Sequence, residues 1–352
     1  MQARREFLSG LTAAAAVGMG WSGRVLAEQM PDVSDKHGRL LPTRPLGSTG
    51  DRVTLLGLGG QHYRRLPGKD HQKAIEVAIE GGIRFFDTAQ SYGKDALSER
   101  LLGEHLTPRY RDEVFLMTKS SARDPKVAQK HLEDSLRNLK TEVIDLWQVH
   151  TLETIEDVDR RWDNGTVDVF LKAREDGKVR HLGFTGHKEP GVLLHFLKRA
   201  KERGVKFQTS QFPVNVCDPA YSSFIEKHMP ECLANDIGVL AMKTMCGGKL
   251  FDSLGEGWGP RGQVRTEALV PDQLPFRDAT DYVWSLPIAT RIAGFDNIKQ
   301  LKENIAAARS IRKLSEQRQA EILAKAAAQA GPNREFYKRN VLVKNDPKEG
   351  RF

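Results

Sequence analysis

Eight stretches of strand length, each rich in apolar, β-branched or aromatic residues, recur along this 352-residue chain. They fall at residues 53–59, 83–88, 114–119, 143–150, 179–185, 206–212, 238–243 and 291–295. Between them run segments with helical spacing. In 71–82, Ala74, Ile75, Ala78 and Ile79 share one face, and a glycine pair stops the run. In 125–140, Pro125 suits a first turn and Val127, Leu132, Leu136 and Leu139 form the apolar side. Residues 191–204 and 298–311 repeat the pattern. Strand alternating with helix eight times predicts an α/β chain closed into a single-domain (β/α)₈ TIM barrel. An open doubly wound sheet is the competing arrangement. Against it, Gly57-Leu58-Gly59-Gly60 lacks the full dinucleotide fingerprint after the first strand.

The barrel is expected over 43–311, with a C-terminal helix and polar tail over 312–352. Turn signals in "RPLGSTGDRV" predict a hairpin that plugs the barrel's bottom. The glycine-rich stretch 247–263 reads as a long, mobile loop after strand seven. Residues 1–27 read as a leader rather than as part of the fold. Arg4-Arg5, a weakly apolar run and the small-residue site at Val25-Leu26-Ala27 resemble a twin-arginine signal peptide. That implies the twin-arginine export machinery as a partner and a periplasmic destination. The leader is too short to span a bilayer, and no later run approaches the ~20 apolar residues a membrane helix needs. Net charge is +8, but lysine and arginine are scattered among nearly as many acids with no aromatic interleaving, which speaks against nucleic acid. Cys217, Cys232 and Cys246 cannot all pair and form no metal-binding spacing.

In a barrel, chemistry collects where strands exit at the C-terminal face. Asp87 ends the second run, Tyr92 follows in the next loop, Lys119 ends the third run and His150 the fourth. Adjacent strands run ~4.8 Å apart, so these side chains can share one pocket mouth. A phenol of ordinary pKa near 10 exchanges protons poorly at neutrality. An ammonium beside it favours the phenolate, and a carboxylate holds that ammonium in place. Asp87 is therefore expected to anchor Lys119, and Lys119 to pull the Tyr92 pKa down. Lowering it by about two units corresponds to ~2.7 kcal/mol. Such a phenol can hand a proton to a carbonyl oxygen that His150 orients.

"RFFDTAQSYG", "FLMTKS" and "DLWQVHTLE" resemble, in order and separation, the three catalytic blocks of the aldo/keto reductase family. "RHLGFTGH" and "SQFPVNV" extend the likeness, which covers roughly 43–310. The resemblance implies a (β/α)₈ barrel that reduces a small carbonyl substrate with NADPH, NADH being the other possibility, and Asp87, Tyr92, Lys119 and His150 as its catalytic tetrad. It also implies a dinucleotide site. Thr185 and Gln211 match the nicotinamide carboxamide contacts, whereas Gly186 stands where the family commonly has an asparagine. Met242 replaces a stacking tyrosine, and Lys243 is a candidate for the pyrophosphate. At the adenosine end, Gly294 and Gln300 stand where basic residues often hold the 2′-phosphate. Asp296 suits an unphosphorylated ribose, Lys299 and Lys302 offer charge, and Glu303 and Asn304 keep the adenine-side pair. Two other functions stay open. One is a Schiff-base aldolase using Lys119; the other is a non-catalytic, nucleotide-binding periplasmic protein.

Overall fold

A computed structural model describes residues 33–250 and 274–338. The expected leader lies outside the described residues, as does most of the 247–263 loop. Eight parallel strands form a closed barrel: β1 (Leu56–Gly59), β2 (Phe85–Asp87), β3 (Phe115–Ser120), β4 (Ile144–Val149), β5 (Val179–Thr185), β6 (Thr209–Pro213), β7 (Gly238–Met242) and β8 (Thr290–Ala293). They pair in chain order and β8 returns to β1, so the open-sheet alternative falls away.

Helices cover the outside: α1 (His71–Glu80), α2 (Leu97–His105), α3 (Pro125–Asn138), α4 (Ile155–Asp163), α5 (Thr166–Glu175), α6 (Pro190–Glu202), α7 (Phe276–Ser285) and α8 (Ile298–Arg309), with α9 (Glu316–Ala327) beyond. The start of α3 shows why its sequence is helical. The Asp124 carboxylate accepts from the backbone N–H of Lys126 and Val127, and Pro125 needs no N–H of its own there. Its buried face is Ala128, Leu132 and Ser135. Val127, expected on that face, is 42% exposed. Five residues separate it from Leu132, which rotates it about 140° away at 3.6 residues per turn.

Strand side chains alternate between the axis and the helices. Phe85, Phe115, Met117, Leu146, Leu240, Ala289 and Ile292 fill the barrel interior together with Leu46 and Val53. The last two come from an antiparallel hairpin, Thr43–Pro45 with Arg52–Thr54, whose turn inserts fully buried Leu46 as the floor. The hairpin seats tightly: a Cβ on Gly47, at φ +53°, would lie 2.4 Å from the Gly238 nitrogen. The first apolar run, expected as one strand over 53–59, is therefore two. It breaks at Leu55, whose N–H bonds Pro42, so the hairpin ends before β1 begins.

The tail packs in a way that local pattern does not register. Beyond residue 331 the chain lacks periodicity, yet Arg334, Glu335, Tyr337 and Lys338 are buried. The Lys338 ammonium donates to Asp218 Oδ1 (2.6 Å) and the Tyr221 carbonyl (2.7 Å), and pairs with Glu335 at 2.9 Å. Asn215 Nδ2 donates to both Glu335 and Tyr337, each at 3.0 Å. Polar groups that satisfy one another can be buried without an apolar stripe, and hydrophobic periodicity does not register them. Among the described residues no helix is long and apolar enough to cross a membrane, no cluster could hold a metal, and the three cysteines are free and buried.

Candidate active site

The alternation that packs the barrel also aims the site. Phe85 and Asp87, Phe115, Met117 and Lys119, and Leu146, Gln148 and His150 lie two residues apart along their strands. The inward rows that begin in the core therefore end as polar groups at the C-terminal rim. Gln211 and Met242 reach the rim on β6 and β7 in the same way. There they open into one cavity of about 730 Å³, lined by fourteen of the sixteen residues the sequence singled out; Lys299 and Lys302 lie outside it.

Lys119 is its centre. Its ammonium, only 1% exposed, bonds Asp87 Oδ1, donates to the Thr88 carbonyl at 2.7 Å and to the Tyr92 hydroxyl oxygen at 3.2 Å. An ammonium carries three N–H donors, and all three are placed. Burial pushes the Asp87 pKa up and the Lys119 pKa down, and each opposes the other's shift by its charge. The Tyr92 ring lies edge-on to the His150 imidazole at 5.9 Å.

The phenol does not behave as the sequence suggested. Burial, reinforced by the Asp87 charge, raises the Tyr92 pKa well above its ordinary value. Desolvation and the Asp87 charge outweigh the opposing charge of Arg64, so the group is held protonated rather than tuned down. Burial also drives the His150 pKa well below normal, helped by Lys119, His187, Arg161 and Lys243. His150 is thus a neutral imidazole. With Ser91 Oγ 3.4 Å from Nδ1, a Ser91 donor would leave its Nε2–H for another acceptor. Arg161 fixes the segment by bonding the carbonyls of His150 (2.8 Å) and Thr151 (3.0 Å).

Two buried polar atoms on the cavity wall have no partner among the described residues: Gln211 Oε1 and Gln300 Nε2. The side chain of Gln211 also bonds Asp87, so the unmatched oxygen is held beside the tetrad. Gln300 Oε1 accepts from the Asp296 N–H at 2.7 Å. An acceptor near the reactive cluster and a donor at the far wall suit the two polar ends of a dinucleotide.

Other expected contacts are altered. Gly186 is closed in: a Cβ there would stand 2.8 Å from the Leu152 carbonyl oxygen, so the asparagine of the family has no room. Gly294 is overlain by the His62 ring, 2.6 Å from where its Cβ would be, so a side chain there would have to displace that ring. His62 in turn meets Asp296 at 3.2 Å. Asn304 is already engaged, accepting from Arg291 at 2.8 Å and donating to the Gln300 carbonyl at 2.9 Å. Lys299 is 82% exposed and pairs loosely with Glu303 at 3.8 Å. Lys243, with φ +54°, lies 5.8 Å above the Tyr337 ring. His62, Arg123, the loop residues Glu153 and Lys188, and the tail residues Phe336 and Tyr337 also line the cavity. Nothing in local spacing marks these; they enter from loops and from the end of the chain.

A closed parallel barrel with a Lys-centred polar cluster at its C-terminal rim defines an enzyme scaffold rather than a passive binder. The aldo/keto reductase family profile matches residues 55–268, and the chain belongs to that family. It is an oxidoreductase of the aldo/keto reductase type. Over 303 residues it is 28% identical to the uncharacterized oxidoreductase YqkF of Bacillus subtilis, covering 78% of this chain and 93% of that one. It is 33% identical over 190 residues to the 6-dehydroglucose reductase of Novosphingobium aromaticivorans, covering 48% and 58% respectively. The holo form of aldo-keto reductase AKR11C1 from Bacillus halodurans shares the fold with a TM-score of 0.67 at 23% identity, over 84% of this chain and 99% of that one.

Proposed function

We propose that the protein reduces a small, hydroxylated aldehyde or ketone to the alcohol, with Tyr92 as proton donor and a nicotinamide dinucleotide as reductant. The observation that carries this reading is the Lys119 ammonium, joined to Asp87 and to the Tyr92 oxygen beside neutral His150. When bound, the reduced nicotinamide supplies a hydride to the carbonyl carbon. His150 orients the carbonyl oxygen by donating a hydrogen bond. As negative charge gathers on that oxygen, the Tyr92 O–H gives up its proton there, and the Lys119 N–H stabilises the phenolate left behind. A phenol held protonated by burial is in the correct starting state for this direction.

Gln211 and Thr185 would hold the carboxamide, with Met242 packed against the nicotinamide ring. NADPH is the proposed dinucleotide, following the family; Asp296 favours NADH as the second reading, through a hydrogen bond to an unphosphorylated ribose. The Schiff-base reading loses support because the Lys119 nitrogen is engaged by Asp87, the Thr88 carbonyl and Tyr92. The intact polar cluster likewise argues against a merely binding role.

The substrate class follows from the cavity wall over β2–β5. Ser91, Ser121, Arg123, Thr151, Glu153 and Lys188 line it. Arg123 and Lys188 both pair with Glu153, at 3.0 and 3.2 Å. An apolar substrate would desolvate these groups without replacing their hydrogen bonds, whereas hydroxyls would match them. The sugar-derived substrate named for the Novosphingobium relative is of the same chemistry. The leader supports export to the periplasm by the twin-arginine machinery, with the dinucleotide carried inside the folded barrel. Replacing Tyr92 with phenylalanine tests the reading. Reduction of glyceraldehyde should fall by roughly 10²–10⁴-fold while fluorescence titration gives nearly unchanged dinucleotide affinity. Comparable turnover by the variant, or wild-type preference for propanal over glyceraldehyde, would remove Tyr92 or the hydroxylated substrate from the account.

A further inference from the structure

Arg44 and Arg291 are both buried and neither pairs with a carboxylate among the described residues. They resolve that shortage differently. Arg44 donates to three main-chain carbonyls, those of Trp284 (2.7 Å), Leu286 (2.9 Å) and Ile288 (2.9 Å), and so ties the floor hairpin to the loop before β8. Arg291 is 2% exposed and lines the cavity. Among the described residues two of its atoms are bonded: Nε donates to Thr244 Oγ1 at 3.0 Å and Nη1 to Asn304 Oδ1 at 2.8 Å. A guanidinium has five N–H donors in a rigid fork, so most of this one is unspent.

Its placement is set by the strand period. Ile292 belongs to the barrel interior, so Arg291 beside it points outward. That direction leads between β7, where Ala241 is its register partner, and α8, which carries Asn304. Its guanidinium carbon lies 5.3 Å from the Trp284 ring centroid and 5.9 Å from that of Phe276. Aromatic rings steady a cation but do not neutralise it. Burial pushes its pKa down to about 9, the mark of a charge kept without a counter-ion. Thr244 and Asn304 hold the fork in a fixed orientation, as a site built for an anion requires.

We propose that Arg291 binds a phosphate group on the adenosine half of the dinucleotide, a proposal that rests on the dinucleotide reading above. The phosphate is either the bridging diphosphate or a 2′-phosphate. Arg291 thereby supplies the cation that Gly294, covered by His62, and exposed Lys299 do not.

Arg291→Gln is the informative variant, because it removes the charge while keeping groups able to bond Thr244 or Asn304. Wild type and variant are titrated with NADH, NADPH and adenosine by tryptophan fluorescence or calorimetry, with thermal melting as a check on folding. Dinucleotide affinity should fall about tenfold or more, equivalent to ~1.4 kcal/mol, while adenosine affinity holds. Equal losses for NADH and NADPH assign Arg291 to the diphosphate; a loss confined to NADPH assigns it to the 2′-phosphate. Unchanged dinucleotide affinity, or an equal loss for adenosine, overturns the proposal and leaves Arg291 a strut between Thr244 and Asn304. If Arg291→Gln does not fold, Arg291→Met is read by the same criteria, and Arg291→Lys, which keeps charge without the fork, should bind at intermediate strength. A wild-type protein that binds neither dinucleotide would instead overturn the cofactor reading itself.

Discussion

Replacing Lys119 with methionine would strand the Asp87 carboxylate in a site where it is 2% exposed. Breaking a buried ion pair by removing one partner typically costs ~3–5 kcal/mol. A domain holds only about 5–15 kcal/mol in total, so the single change should lower the urea midpoint visibly. Asp87→Asn strands the ammonium instead, although Thr88 and Tyr92 still accept two of its N–H groups, so its loss should be the smaller. The double variant leaves no orphaned charge. Its loss should fall short of the sum of the single losses by a coupling of about 1–3 kcal/mol. Urea unfolding followed by tryptophan fluorescence supplies all four stabilities of the cycle. All three variants should also lack carbonyl reductase activity, because the cation beside Tyr92 is missing or displaced. Additive losses would show that Asp87 and Lys119 do not interact in solution, and the geometry on which the proton-transfer scheme stands would be wrong.

The pH profile separates the two accounts of the phenol. Reduction needs Tyr92 protonated, a state present below its folded-state pKa and lost as pH rises through it. Because burial raises that pKa, kcat/KM for reduction should stay level through neutrality and fall only beyond the ordinary tyrosine range near 10. His150, held neutral, should add no inflection near 6.5. A descending limb close to pH 7 would mean that Lys119 wins over desolvation. At the other end of the barrel, Leu46→Ala removes the floor of the interior. It should cost ~2–5 kcal/mol by urea unfolding without altering dinucleotide affinity; an unchanged midpoint would count against the plug.

The strands were legible because each is a short apolar run bounded by turn residues, and a barrel buries such runs on both faces. The strand-end residues were legible for the same reason: period-two alternation carries the inward rows from Phe85 to Asp87 and from Met117 to Lys119. Order along the chain thus determined which groups reach the rim and which neighbours they meet. It did not determine the balance of forces among them. The Tyr92 pKa depends on how completely the cavity excludes water, and that emerges only when loops from several strands close round it. Arg291 reads in sequence as one more residue of a strand. Its meaning comes from Thr244 and Asn304, 47 and 13 residues away, which hold its fork toward the cavity. The buried tail is another such case, since Lys338 finds Asp218 across 120 residues. Local pattern encodes which side of an element faces inward. Desolvation and long-range pairing depend on what the whole fold brings to that side, and only the tertiary structure decided them.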